Sequence, residues 1–302
     1  MCRFTLYLGP PVRMSTLLTE PQHSLIRQSF DSKERSEPLN GDGFGVGWYS
    51  PRLHSQPAQL HEITPAWNNQ NLESISRVVA SPCIMAHVRA ASPGSLVNEA
   101  NCHPFGYENF LMMHNGDIGG FQRVRRSIMD SLQDTAFNVI RGSTDTEHLF
   151  ATFVDEVNKQ QESRKHNAEA SEAITGLDLA RNLSTAITRV LKITQAQEDW
   201  QPSHLNVAVA DGSHVAVCRF SDAQNEKPLS LHLLHGELYP PISRLFQDKQ
   251  NEAEEAMIVS SEPLNNDPRW QDVPPNTMLV LDRRKAPMQI PMKMDGSLEW
   301  PE

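Results

Sequence analysis

The chain has 302 residues, with 27 Lys and Arg against 37 Asp and Glu, giving a formal net charge of −10. That acidic balance excludes a general affinity for nucleic acid or for an anionic membrane surface. A content of 38 % hydrophobic and 21 % charged residues excludes a disordered chain, and no apolar run reaches the ~20 residues of a membrane span. The first residues lack a basic stretch followed by a long apolar one, so a cytoplasmic protein without a signal peptide is expected. The four cysteines, Cys2, Cys83, Cys102 and Cys218, form no CxxC pair, which fits a reducing compartment and free thiols.

Cys2 to Gly9 alternates with period two and predicts a strand closed by Gly9-Pro10-Pro11. Cys2, Phe4, Leu6 and Leu8 share one face, and Arg3, Thr5 and Tyr7 the other. Short helices are expected over 15–18 and 24–29. The turn Asn40-Gly-Asp-Gly43 leads into a strand over 44–49, and further strands are expected over 84–91 and 110–114. After Gly119-Gly120, the residues Phe121, Val124, Ile128 and Leu132 form a helical stripe. Thr144-Asp-Thr-Glu147 is a capping-box pattern that starts the next helix, ahead of Leu149, Phe150, Phe153 and Val157. Residues 158–172 are almost wholly polar and read as an exposed insertion within one domain spanning 2–302. A helix follows over 177–194. A hairpin joins 205–210 to 215–220 through Asp211-Gly212, with strands over 229–234, 257–260 and 278–281. Strands, then helices, then strands make this an α+β protein with largely antiparallel sheets.

Five places could carry chemistry. Cys2 is either a small apolar core residue or, once Met1 is trimmed, a thiol beside a free α-amine. That amine, with an ordinary pKa of roughly 8, can serve as base for the neighbouring thiol. The strand Phe110-Leu-Met-Met-His114 ends in Asn115-Gly116, either an ordinary turn or a pair of donors for an oxyanion. In Ala86-His-Val-Arg89, His87 and Arg89 share a strand face, and the guanidinium either meets solvent or holds a carboxylate. Asp145 either complements a helix dipole or receives an ammonium group. Asn101-Cys-His-Pro-Phe105 gathers a thiol and an imidazole, but no ligand pair has a familiar zinc spacing, so no metal is expected.

Taken in order, Met1-Cys-Arg-Phe4, Asn40-Gly-Asp-Gly-Phe-Gly45, Ala86-His-Val-Arg89, Asn101-Cys-His-Pro-Phe105, His114-Asn-Gly116 and Ser143-Thr-Asp-Thr-Glu147 form a specific series. The series resembles the class II glutamine amidotransferases of the N-terminal-nucleophile (Ntn) hydrolase superfamily. The likeness is greater to stand-alone members, such as the amidotransferase-like subunit of the fungal glutathione-degradation complex and the γ-glutamyl hydrolase of ergothioneine biosynthesis. Pro65-Ala-Trp-Asn-Asn69 and Ile258-Val-Ser-Ser-Glu-Pro-Leu264 look like that subgroup.

The resemblance implies a four-layer αββα sandwich and a set of roles. Cys2 would be the nucleophile, with its α-amine as base and then acid. Asn115 and the Gly116 N–H would form the oxyanion hole. Arg89 would hold the substrate's α-carboxylate and Asp145 its α-ammonium, and His87 and His103 are placed with the substrate-binding residues. The expected activity is hydrolysis of a γ-glutamyl amide through a Cys2 thioester, on a small-molecule substrate, without a cofactor, and with a partner protein subunit in view. The alternatives are a glutaminase supplying ammonia to a separate synthase, a non-catalytic subunit of a complex, and a metal-dependent hydrolase.

Overall fold

Phe4, Leu6 and Leu8 alternate with Arg3, Thr5 and Tyr7, yet all six are buried, because the strand they form is covered on both faces. This strand, β1 (Arg3–Arg13), is central to the first of two sheets. The computed structural model describes residues 2–34, 39–91, 96–166, 173–224, 226–236 and 255–300. β1 does not stop at Gly9. It runs through Pro10 and Pro11, and its register against the neighbouring strand breaks between Leu8 and Val12. The prolines, which have no N–H to donate, sit in that unpaired stretch, and pairing resumes at Val12.

Two short helices follow, α1 (Ser15–Leu18) and α2 (Leu25–Gln28), the second capped by the Ser24 hydroxyl. Then come β2 (Phe44–Trp48), β3 (Ala58–Glu62), α3 (Gln70–Ser76) and β4 (Ala80–Val88). The chain crosses to the second sheet with β5 (Phe105–Tyr107) and β6 (Phe110–Asp117). Four helices come next: α4 (Phe121–Asp130), α5 (Asp134–Phe137), α6 (Asp145–His166) and α7 (Gly176–Gln195). The strands β7 (His204–Ala210), β8 (His214–Ser221), β9 (His232–Gly236), β10 (Ala256–Ser260), β11 (Gln271–Asp272), β12 (Thr277–Asp282) and β13 (Lys285–Pro291) complete the fold. The first sheet runs β11-β9-β10-β1-β4-β2-β3 and the second β13-β12-β8-β7-β6-β5, with antiparallel pairing.

Alternation sorts the side chains into layers. Phe4, Leu6, Leu8, Met85, Leu111, Met113, Ala208 and Val217 pack between the two sheets. Tyr7, Ile84, Ala86 and Val88 point the other way, onto Leu17, Leu25 and Leu72 of α1, α2 and α3. Phe110, Met112, Val207 and Cys218 carry α4, α6 and α7 on the far side of the second sheet. The result is the expected α+β sandwich of four layers, helices–sheet–sheet–helices.

Local signals set the helix starts with one change. Thr144 Oγ1 accepts from the Glu147 N–H at 3.2 Å. The Glu147 carboxylate, however, turns to the Arg141 and Gly142 N–H groups at 2.9 and 2.8 Å. Half of the capping box is therefore present, and the rest tightens the preceding loop. A full capping box, which sequence reading missed, starts α7 at Thr175 and Asp178. The polar segment expected over 158–172 is helical as far as His166. Gln160 and Arg164 both reach Asp178 at 2.8 Å, and Asn182 donates to Gln160, so this part of α6 is tied to α7. Residues 167–172 lie outside the described residues.

Candidate active site

The ends of β1, β4 and β6 converge at one edge of the layer between the sheets. Register places Arg3 opposite Val88, so Cys2 stands beside Arg89 just beyond the paired region. Cys2 continues the row of Phe4, Leu6 and Leu8, which faces the second sheet. Its Sγ lies 3.5 Å from the Ala90 carbonyl oxygen, to which it donates. Burial pushes the Cys2 thiol up from its ordinary value. The Ala90 hydrogen bond and the Arg89 guanidinium pull it down, and the Asp145 carboxylate adds to the rise.

Arg89 is no surface residue on a half-solvated strand; it is only 4 % exposed. The Asn40-Gly-Asp-Gly43 loop braces it. Its N–H donates to the Gly43 carbonyl at 2.8 Å, its carbonyl accepts from the Asp42 N–H at 3.1 Å, and its Nη1 lies 3.5 Å from the Asp42 carbonyl. The Asp42 carboxylate accepts from the Ala91 N–H at 2.8 Å. On the other side Nη2 donates to the Leu96 carbonyl at 3.1 Å. The buried Asn101 amide donates to that same carbonyl at 2.8 Å, and its oxygen accepts from the Ser143 N–H at 2.9 Å. One chain of hydrogen bonds thus leads from Arg89 to Ser143, in the loop just before Asp145.

Asn115 shares the inter-sheet face of β6 with Leu111 and Met113. Its side chain is buried, and its Oδ1 has no hydrogen-bond partner among the described residues. Gly116 has φ +148°, and a Cβ there would lie 1.8 Å from the His204 carbonyl oxygen, so only glycine fits. Asp145 is fastened at the same strand end. Its Oδ2 accepts from the Ile118 N–H at 2.9 Å and its Oδ1 from the Thr146 N–H at 2.8 Å.

Two histidines brace β6 through the main chain of His114. His87 Nε2 donates to the His114 carbonyl at 3.1 Å, and the His114 N–H donates to His103 Nδ1 at 3.3 Å. The His87 and His103 rings meet at a tilt of 39°, with centroids 4.1 Å apart. His114 itself turns outward, with Nε2 donating to the His204 carbonyl at 3.1 Å and Nδ1 accepting from Thr146 Oγ1 at 3.0 Å. His87 and His103 therefore hold the residue adjacent to Asn115. Among the described residues no group of three His, Cys, Asp or Glu side chains is placed to hold a metal ion.

Burial drives the His87 imidazole down to about 3, and burial with the neighbouring His87 and His114 takes His103 well below 6.5. Both are neutral when folded, while the unfolded chain takes up their protons below about 6.5. Stability is therefore fully present above that pH and falls as the pH drops toward 3. His87 alone is expected to remove about 2 kcal/mol between pH 7 and pH 5, and His103 adds in the same direction. Urea unfolding at the two pH values measures it, and in His87→Gln the pH-dependent loss should shrink by about that amount. An unchanged loss in that variant would remove His87 from this account.

The structure brings Cys2, Arg89, Asn115, Gly116 and Asp145 to one edge. It adds Asp42 and Asn101, which the sequence signalled only as parts of a turn and of the Asn101-Cys-His-Pro-Phe105 cluster. The model of the family "Glutamine amidotransferases class-II" matches residues 17–297. The chain belongs to that family. This amidotransferase is 36 % identical over 295 residues to the "Probable glutamine amidotransferase DUG3" of Saccharomyces cerevisiae, across 94 % of this chain and 82 % of that protein. It is 23 % identical over 298 residues to the gamma-glutamyl-hercynylcysteine sulfoxide hydrolase of Mycobacterium tuberculosis, across 95 % of this chain and 100 % of the other. A glutamine aminotransferase class-II domain protein from Silicibacter pomeroyi has the same fold, with TM-score 0.61, 21 % identity and 95 % and 98 % of the two chains covered. Among the described residues of this amidotransferase no helix is long and apolar enough to cross a membrane.

Proposed function

We propose that this amidotransferase hydrolyses the γ-glutamyl amide bond of glutathione or a similar thiol conjugate, with Cys2 as nucleophile. Removal of Met1 frees the Cys2 α-amine. The amine takes the thiol proton as Sγ attacks the γ-carbonyl carbon, and the oxyanion is received by the Asn115 amide and the Gly116 N–H. The amine then passes the proton to the leaving nitrogen as the C–N bond breaks, leaving a thioester. Water adds to the thioester, the C–S bond breaks, and glutamate departs with the thiol restored. Arg89 holds the α-carboxylate and Asp145 the α-ammonium of the glutamyl unit.

The observation that carries this reading is that Cys2 stands beside Arg89 where β1 and β4 end, with the Asp145 carboxylate fastened at the end of β6. One cation and one anion beside a thiol match the zwitterionic end of a γ-glutamyl group. The relatives named for γ-glutamyl chemistry point the same way. The test is intact-protein and peptide mass spectrometry after reaction with a glutamine-analogue diazoketone. Loss of Met1 with label on Cys2 alone is the expected result, and retained Met1 or label elsewhere would overturn the mechanism. A panel of γ-glutamyl amides then separates the substrates. Glutamine preferred over every larger amide would replace this reading with the glutaminase one. Activity of the chain alone would dispense with a partner subunit.

A further inference from the structure

The Glu262 carboxylate is 1 % exposed and lies two residues past the end of β10, outside the group of residues just assigned. It accepts from four donors. Arg3 Nε and Ser32 Oγ reach Oε1 at 3.1 and 2.6 Å, and His23 Nε2 and the Lys33 N–H reach Oε2 at 2.7 and 2.9 Å. The Glu262 carbonyl accepts from Gln28 Nε2 at 3.1 Å. Burial alone would raise this carboxyl, but the hydrogen bonds from His23, Ser32 and Lys33 and the Arg3 charge hold it below the usual carboxylate range. Arg3, also 1 % exposed, turns the rest of its fork toward the chain end. Its Nη1 donates to the Cys2 carbonyl at 2.9 Å, and its Nη2 contacts Ser32 Oγ.

The place where this happens explains its use. β10 pairs with β1 from Leu8 to Thr5 and then parts from it. Two more links follow, the Ser261 N–H to the Phe4 carbonyl and the Phe4 N–H to Ser261 Oγ, both at 3.0 Å. Cys2 lies beyond them, where the ladder on this side has ended. From there the Glu262 and Arg3 side chains take over, and the Cys2 carbonyl is gripped by a guanidinium rather than by a strand. A buried ion pair adds little net stability over apolar packing of the same volume. A guanidinium anchored by several hydrogen bonds at once does, however, fix the backbone group it donates to in one orientation.

We propose that Glu262 is a positioning residue for the nucleophile, acting through Arg3 to fix the Cys2 peptide unit and hence the direction of Sγ and of the α-amine. Substrate does not touch it. This rests on the reading of Cys2 as the nucleophile. A residue acting this way affects the rate of attack and leaves the glutamyl-binding groups Arg89 and Asp145 alone. Displacement of a reacting atom by about 1 Å costs on the order of 100-fold in rate.

The experiment is diazoketone inactivation kinetics on purified Glu262→Gln and Arg3→Lys variants, with thermal unfolding measured in parallel. The glutamine side chain would turn an N–H toward His23 and the Lys33 N–H, and lysine loses the fork. In each variant the maximal inactivation rate at Cys2 and kcat should fall together, by about 10- to 100-fold, with KM and the half-saturating diazoketone concentration within about twofold. The double variant should lose little more than either single one, because both act on one carbonyl. A maximal rate equal to wild type in the folded variants would overturn the role of Glu262 while leaving Cys2 as nucleophile. So would a loss explained wholly by a smaller folded fraction. Should Glu262→Gln fail to fold, Arg3→Lys decides by the same rate. Absence of Cys2 labelling in the wild type would overturn the nucleophile itself, and this proposal with it.

Discussion

Cys2→Ala is expected to abolish γ-glutamyl hydrolysis while leaving the substrate bound. Removing the nucleophile from a hydrolase whose binding groups survive costs on the order of 10⁶-fold in kcat, which for most assays means no detectable turnover. Binding should persist because Arg89 is braced by the Asp42 loop and Leu96, and Asp145 by the Ile118 and Thr146 N–H groups. None of these contacts involves the Cys2 side chain. The fold should persist too, since Cys2 stands outside the strand and is only half-buried. Calorimetric titration with a γ-glutamyl amide, beside a turnover assay, checks both halves. Turnover within tenfold of wild type would end the case for Cys2. Loss of binding along with turnover would show that the thiol also helps to hold the glutamyl unit.

The second large effect concerns the oxyanion. Asn115→Ala is expected to lower kcat by about 10²- to 10³-fold, equivalent to roughly 2.7–4 kcal/mol of transition-state stabilisation, with KM changed little. An oxyanion donor acts on charge that develops only in the transition state, so its loss falls on kcat rather than on binding. Asn115→Asp is the informative companion. It keeps the size but replaces an N–H with an acceptor, and it should be at least as slow. A rise in KM at constant kcat would instead make Asn115 a ground-state binding group. The strand itself should survive either change, because His87 and His103 grip β6 through the His114 main chain and not through Asn115.

Much of the frame was legible in one dimension. The period-two run from Phe4 to Leu8 marked β1 and its faces, and the 3.6-residue stripe of Val124 and Ile128 marked α4. The Thr144 cap placed the start of α6, and Asp211-Gly212 marked the β7–β8 turn. These signals act over a few residues, so sequence spacing reports them directly. The extent of β1 was not legible. Gly9-Pro10-Pro11 reads as a stop, and only β4 pairing again from Val12 shows that it is an interruption. Strands β3, β5, β11 and β13 went unseen because they are short or edge elements with weak alternation.

At the site the ordered motifs alone singled out Cys2, Arg89, Asn115, Gly116 and Asp145. They did so through the resemblance of the whole series to the class II amidotransferases, since each residue taken singly also had an ordinary structural reading. What held those groups in place was decided only by the tertiary structure. Arg3 and Glu262 lie 259 residues apart, and Asn101 and Ser143 lie 42 apart. The partner of a buried charge depends on which strands become neighbours and in what register, and a one-residue slip would send every side chain to the opposite face. The ordered motifs and the family they resemble therefore indicated which residues could react, and sheet pairing determined which residues hold them.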